Sequence, residues 1–192
     1  MFSHDESSPE YSACNIKKGD ISNLGRNAYE QWSQNKIVLQ YDDVYGNNPQ
    51  PSVLIENIIK PTSIYRWFDK TSCNLFWNIQ NLDLKNIDTQ NCTDFVSAFK
   101  CSCTGIDIST WNTSNVTNMD NMFGGPENDG CNKLESLNLS NFNTSNVTNM
   151  NSMFYNCKKL TNINYGNSFI KKEECNVDYM FNNCPANKPS WW

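Results

Sequence analysis

Two periodicities alternate along the second half of the chain. Leu137, Asn138 and Leu139 alternate apolar and polar residues, the period of a short strand with one face buried. Val147, Met150, Met153 and Phe154 follow at spacings of three and four, which predicts one face of a short helix. The same polar frame surrounds a second set of apolar positions: "WNTSNVTNMDNMF" at 111–123 recurs as "FNTSNVTNMNSMF" at 142–154, identical at ten of thirteen positions. Just ahead of each predicted helix, Ser114 or Asn115 and Ser145 or Asn146 are the candidates to accept the free N–H groups of the first turn. Loss of such a cap costs about 0.5–2 kcal/mol.

Alignment on the phenylalanine that ends each phrase gives rows from Leu82, Ile106 and Leu137, and a degenerate row that runs to Phe181. The closing residues are Phe99, Phe123, Phe154 and Phe181, at separations of 24, 31 and 27. The longest interval holds "GGPENDG" at 124–130, a loop insertion by its composition. Within columns the swaps are apolar. Val116 and Val147 align with Cys92, Met119 and Met150 with Phe95 and Val177, and Met122, Met153 and Met180 with Ala98. Such columns mark burial. A single strand and helix cannot cover its own apolar face, whereas stacked units share a continuous core. The expected fold is therefore an α/β leucine-rich-repeat solenoid, with short parallel strands on one side and short helices on the other.

Before the rows, "NKIVLQYDD" has the alternation of a strand, and "SVLIENII" at 52–59 reads either as a second strand or as a short helix. The organisation follows: a polar flexible tail at 1–20, a strand-containing N-terminal cap at 21–61, repeats at 62–184 with an irregular opening unit, and a C-terminal cap at 185–192.

Composition narrows the function. The formal net charge of −5 argues against direct nucleic-acid binding, which needs a basic face. No apolar run reaches the ~18–20 residues of a membrane span. The first twenty residues lack the pattern of a signal peptide. The protein is thus expected to be cytoplasmic as written, or surface-exposed or secreted if an upstream signal was removed. His4 is the one histidine among 192 residues, so a triad or a Cys/His metal site has almost no base or ligand to draw on. The expectation is a non-enzymatic protein that needs no cofactor and no metal. Asparagine fills 32 positions, and the six N-x-S/T triplets come mostly from the repeated phrase, so their reading is structural. Of the nine cysteines, Cys157 and Cys184 lie three residues after a closing phenylalanine, and Cys131 joins them once the loop is removed. Those three form a buried thiol column, a partly disulfide-linked set or a metal site. Cys101 and Cys103 share a short loop and are the candidate reactive pair.

"LNLSNFNTSNVTNMNSMFYNCKKLTNINYG", from Leu137 to Gly166, resembles the BspA-like leucine-rich repeats of bacterial surface proteins. The resemblance covers about 62–184. It implies a protein-binding module working in adhesion or assembly, and no catalytic residues come with it. A phage- or mobile-element-encoded inhibitor that docks on a host protein is the alternative. Candidate partner-binding residues are the outward strand positions Asp83, Asp107 and Asn138, with Lys85 and Ser109 just beyond. Glu127 and Asp129 in the inserted loop join them, as do Trp191 and Trp192, which either fold back over the last row or anchor a partner. Two acidic residues on neighbouring strands would favour a basic partner or a cation, and exposed ends of the array would permit oligomers.

Overall fold

The computed structural model describes residues 60–68, 84–100, 103–125, 131 and 133–192, together with the strand backbones β1 (Ile37–Asp42), β2 (Gln50–Ile55) and β3 (Asn81–Asp83). The remaining strands are β4 (Gly105–Asp107), β5 (Ser136–Leu139) and β6 (Asn162–Tyr165). β1 pairs antiparallel with β2, and β2, β3 and β4 follow in parallel. β5 and β6 form a second parallel pair. The choice left open at 52–59 falls to a strand for Gln50–Ile55.

Among the described residues there is no helix. The α/β leucine-rich-repeat solenoid with a helical side is therefore corrected: the second half of each row is a string of turns. Three observations explain why. The residue two before each closing phenylalanine is left-handed, with φ of 54° at Arg66, 53° at Ser97, 52° at Asn121, 53° at Ser152 and 55° at Tyr179. A helix cannot pass through such a residue. The local bonds reach back three residues, Val147 N to Thr144 O at 3.0 Å and Met153 N to Met150 O at 3.2 Å, where a helix reaches back four. The other N–H groups leave the row. Met119, Asn121 and Phe123 donate to the carbonyls of Asn149, Asn151 and Met153 in the next row, at 2.8, 2.9 and 3.0 Å. A spacing of three in the apolar positions is shared by consecutive turns and by helices. Here the neighbouring row supplied the acceptors, and the turns won.

The parallel arrangement continues through bridges that join Ser63 to Asp94, Asp94 to Asn118, Asn118 to Asn149 and Asn149 to Asn176. At every one of these positions the side chain folds onto its own backbone. Ser63 Oγ accepts from Tyr65 N at 3.1 Å, and the Oδ1 atoms of Asp94, Asn118, Asn149 and Asn176 accept from the N–H two residues on, at 2.9, 3.1, 3.0 and 2.8 Å. Asp and Asn stabilise turns by this bond. Their column is what turns the chain in each row.

Inside, the closing phenylalanines form one column of rings. Phe68, Phe99, Phe123, Phe154 and Phe181 stack in succession with centroids 5.4, 5.2, 5.6 and 5.2 Å apart. Val116, Val147, Met119, Met150, Met122 and Met153 are fully buried beside them, and Leu137 and Leu139 face the same core. The residues named as helix caps do other work. Asn115 donates from Nδ2 to Gln90 O, and Asn146 to Ser114 O, each at 2.7 Å, tying one row to the one before. Thr113 and Thr144, buried, donate to Asn143 O at 2.9 Å and Ile170 O at 2.6 Å, tying each row to the one after. Buried hydroxyls are tolerated only when bonded in this way.

Candidate functional site

β3 and β4 lie in register, with Leu82 opposite Ile106 and Asp83 opposite Asp107. Leu82 points into the core, and the side chain of Asp83 lies outside the described residues. Lys85 then reaches across to Asp107, with Nζ 3.0 Å from Oδ2. Asp107 Oδ1 accepts from the Ser109 hydroxyl at 2.7 Å and the Ser109 N–H at 3.1 Å. Thr110 Oγ1 donates to Lys85 O at 3.1 Å and fixes the backbone beneath the lysine. Three of the residues expected on this face, Lys85, Asp107 and Ser109, thus form one cluster. The Ser109 hydroxyl, more than its N–H and the Lys85 ammonium, holds the Asp107 carboxyl below the ordinary carboxylate range, against partial desolvation. With Lys85 in contact, the Asp107 charge is already balanced within the chain. The face presents an oriented ion pair at Asp107.

Asn138 on β5 continues the face one sheet further. Its Oδ1 accepts from Ser140 N and from Asn164 Nδ2, both at 3.1 Å. Glu127 and Asp129 lie outside the described residues. Trp191 folds back, its Nε1 donating to Phe169 O at 2.8 Å and its ring stacked on Phe169. Trp192 stands edge-on to Phe181, with centroids 5.0 Å apart, and remains 55 % exposed. The two tryptophans are therefore at the far end of the rows from the Lys85 cluster.

The cysteine column has a defined chemistry. Cys131, Cys157 and Cys184 each donate their backbone N–H to the preceding closing phenylalanine, at 2.9, 3.1 and 3.0 Å. Cys131 therefore occupies the same place in its row as the other two, with residues 126–130 spliced in ahead of it. The thiols of Cys131 and Cys157 donate to Phe99 O and Phe123 O, one row back. The six cysteines among the described residues are free thiols, all buried. Burial pushes the Cys92 thiol up to about 12, and raises Cys175 and Cys184 as well. Such thiols stay protonated and are poor nucleophiles. Cys103 is buried too, while its proposed companion Cys101 lies outside the described residues. No group of three or more potential metal ligands occurs among the described residues. No helix among them is long and apolar enough to cross a membrane.

One feature of the site was missed in the sequence. Tyr179 aligns with Ser152 and Asn121, two residues before a closing phenylalanine, and is 69 % exposed. A large aromatic residue in a column otherwise filled by small or polar ones was the available signal.

These features define a class: parallel rows of strand and turn, repeated on an asparagine and phenylalanine frame, with a polar strand face. The chain belongs to the family described as "Mycoplasma protein of unknown function, DUF285", whose model matches residues 62–191. No curated protein and no solved structure matches it.

Proposed function

We propose that the chain is a non-enzymatic protein-binding module that recognises its partner through the strand face carrying Asp83, Lys85, Asp107, Ser109 and Asn138. The observation that carries this reading is the Lys85, Asp107 and Ser109 cluster: an ion pair held by three further hydrogen bonds on the outer side of a tightly bonded stack. A fixed pair of opposite charges gives a partner a directional electrostatic pattern, and such patterns contribute specificity and association rate more than raw affinity. The resemblance of the row phrase to BspA-like repeats, which act as interaction modules, supports the same reading. So does the state of the thiols, since the Cys92, Cys175 and Cys184 thiols are all pushed up by burial.

The test is a comparison of wild type with the charge-swapped variant Lys85→Asp/Asp107→Lys in affinity capture from the source cell, followed by titration of the captured protein. A stoichiometric partner that wild type holds, and that the swap weakens by tenfold or more, is the expected result. A partner bound equally by both proteins places recognition elsewhere and removes the reading.

A further inference from the structure

The N–H groups of Thr93, Thr117, Thr148 and Asn176 donate back to the row before, those that follow in each row donate forward, and in the last row the forward donors meet no acceptor among the described residues. In the rows closed by Phe68, Phe99, Phe123 and Phe154, the N–H groups two residues apart donate forward. In the last of these, Met150, Ser152, Phe154 and Asn156 donate to the carbonyls of Asn176, Asp178, Met180 and Asn182 at 2.7, 2.8, 2.9 and 3.0 Å. The equivalent groups one row on belong to Val177, Tyr179, Phe181 and Asn183, and none of the four has an acceptor among the described residues. Exposure changes at the same place. Asn149, Asn151 and Ser152 are half-buried, whereas Asn176, Asp178 and Tyr179 are exposed. Beside this edge lies a shallow open depression lined by Lys158, Phe181, Asn183, Cys184 and Pro185.

We propose that the Val177 to Asn183 edge is a second docking surface, separate from the strand face, which accepts a flexible segment of another protein as an additional row. The donors define the occupant. It must run parallel to the row and present carbonyls at every second residue, as an added strand does at an open sheet edge. It must also follow a path with a left-handed residue, which Gly and Asn adopt most easily. A segment rich in Asn, Ser or Gly fits that path. A second folded copy of this chain fits less well. β1 stands one strand beyond β2, and at the other end Asn187 closes β6 by bonding Ile163 N at 2.7 Å and Ile163 O at 2.9 Å.

The probe is a synthetic peptide with the sequence of residues 143–156, which already forms such a row within the chain. Amide hydrogen exchange of the full-length protein is read by NMR with and without it, against a peptide of the same composition in scrambled order. The expected result is that Val177, Tyr179, Phe181 and Asn183 exchange rapidly in the free protein and at least about tenfold more slowly with saturating peptide, while the amides around Lys85 and Asp107 are unchanged. Equal protection by the scrambled peptide, or no protection at a concentration where binding to the protein is seen, overturns the proposal. Protection that rises with protein concentration in the absence of peptide overturns it in favour of a second copy. A variant, Tyr179→Gly, retains the N–H and the left-handed turn and must keep the protection; its loss would mean that the side chain and not the backbone edge is bound.

Discussion

Replacing Ser152 by glycine is expected to stabilise the protein. Ser152 sits at φ 53° with its N–H donating to Asp178 O at 2.8 Å and its carbonyl accepting from Tyr155 N at 3.0 Å. Both are backbone bonds, and glycine keeps them. A side chain in the left-handed region costs roughly 1–2 kcal/mol, which the exchange removes. Glycine also gives the unfolded chain more freedom, at a cost of about 0.4–1 kcal/mol. The net gain is about 0.5–1 kcal/mol, or a rise of about 1–4 °C in Tm for a chain of this size. Had this segment been a helix, the same change would have lowered stability by about 0.5 kcal/mol. The sign therefore separates the two structures. Urea titration followed by tryptophan fluorescence, with a thermal scan by circular dichroism, gives the measurement. Ser152→Val is the opposing control, since a β-branched residue is an outlier at positive φ. A Ser152→Gly variant less stable than wild type, with the valine variant unaffected, would refute the turn-based account of the rows.

Other outcomes follow from the same packing. Gly124→Ala would push a methyl group into the carbonyl of Ser152 in the next row, with Tyr155 N also in the way; a loss of about 1–3 kcal/mol by urea titration is expected, as for overpacking elsewhere. Phe123→Ala removes a ring stacked on both sides and should cost about 3–5 kcal/mol, whereas Phe181→Ala, stacked on Phe154 on one side and covered by Trp192 and Lys188 at the end of the column, should cost less. Equal losses in the two would mean that the column is not continuous. The Cys92 thiol, raised to about 12 by burial and by Asp88 and Asp94, favours the neutral form in the folded chain. Its contribution to stability is complete below the unfolded value near 9 and declines as pH rises toward 12. Thiol-reagent kinetics at pH 8 should show Cys92 reacting only at the rate of unfolding, and fast labelling in native buffer would contradict its burial.

Much of the packing was legible in the residues themselves. The recurrence of Phe99, Phe123, Phe154 and Phe181 marked a column because identical rings at row spacing have only one common environment, and the rings do stack. Cys131 was placed correctly across an insertion because its neighbours kept the row pattern on either side. The turns were not legible as turns. Val147, Met150 and Met153 repeat every three residues in either geometry, and the left-handed positions carry Ser, Asn, Arg and Tyr, with no glycine to mark them. The decisive bonds run between rows some 24 to 31 residues apart in the chain, as from Met119 to Asn149 and from Phe95 to Asn118. No window of local periodicity contains them. The exposure of Lys85, Ser109 and Asn138 was legible from the alternation; that Lys85 would turn onto Asp107 depends on the register of β3 against β4.

The frame shared by the Phe123 and Phe154 rows makes them interchangeable. Phe123 and Phe154 occupy the same place and present the same ring to their neighbours, and 31 residues separate them. A genetic recombination that joined Phe123 directly to Tyr155 would excise one repeat length, and Met119, Asn121 and Phe123 would still meet acceptors, facing Asn176, Asp178 and Met180 where Met150, Ser152 and Phe154 had been. Duplication would lengthen it by the same rule. The architecture thus gives its gene a unit of 31 codons that can be gained or lost whole, so that related chains can differ in reach without first having to solve a new folding problem.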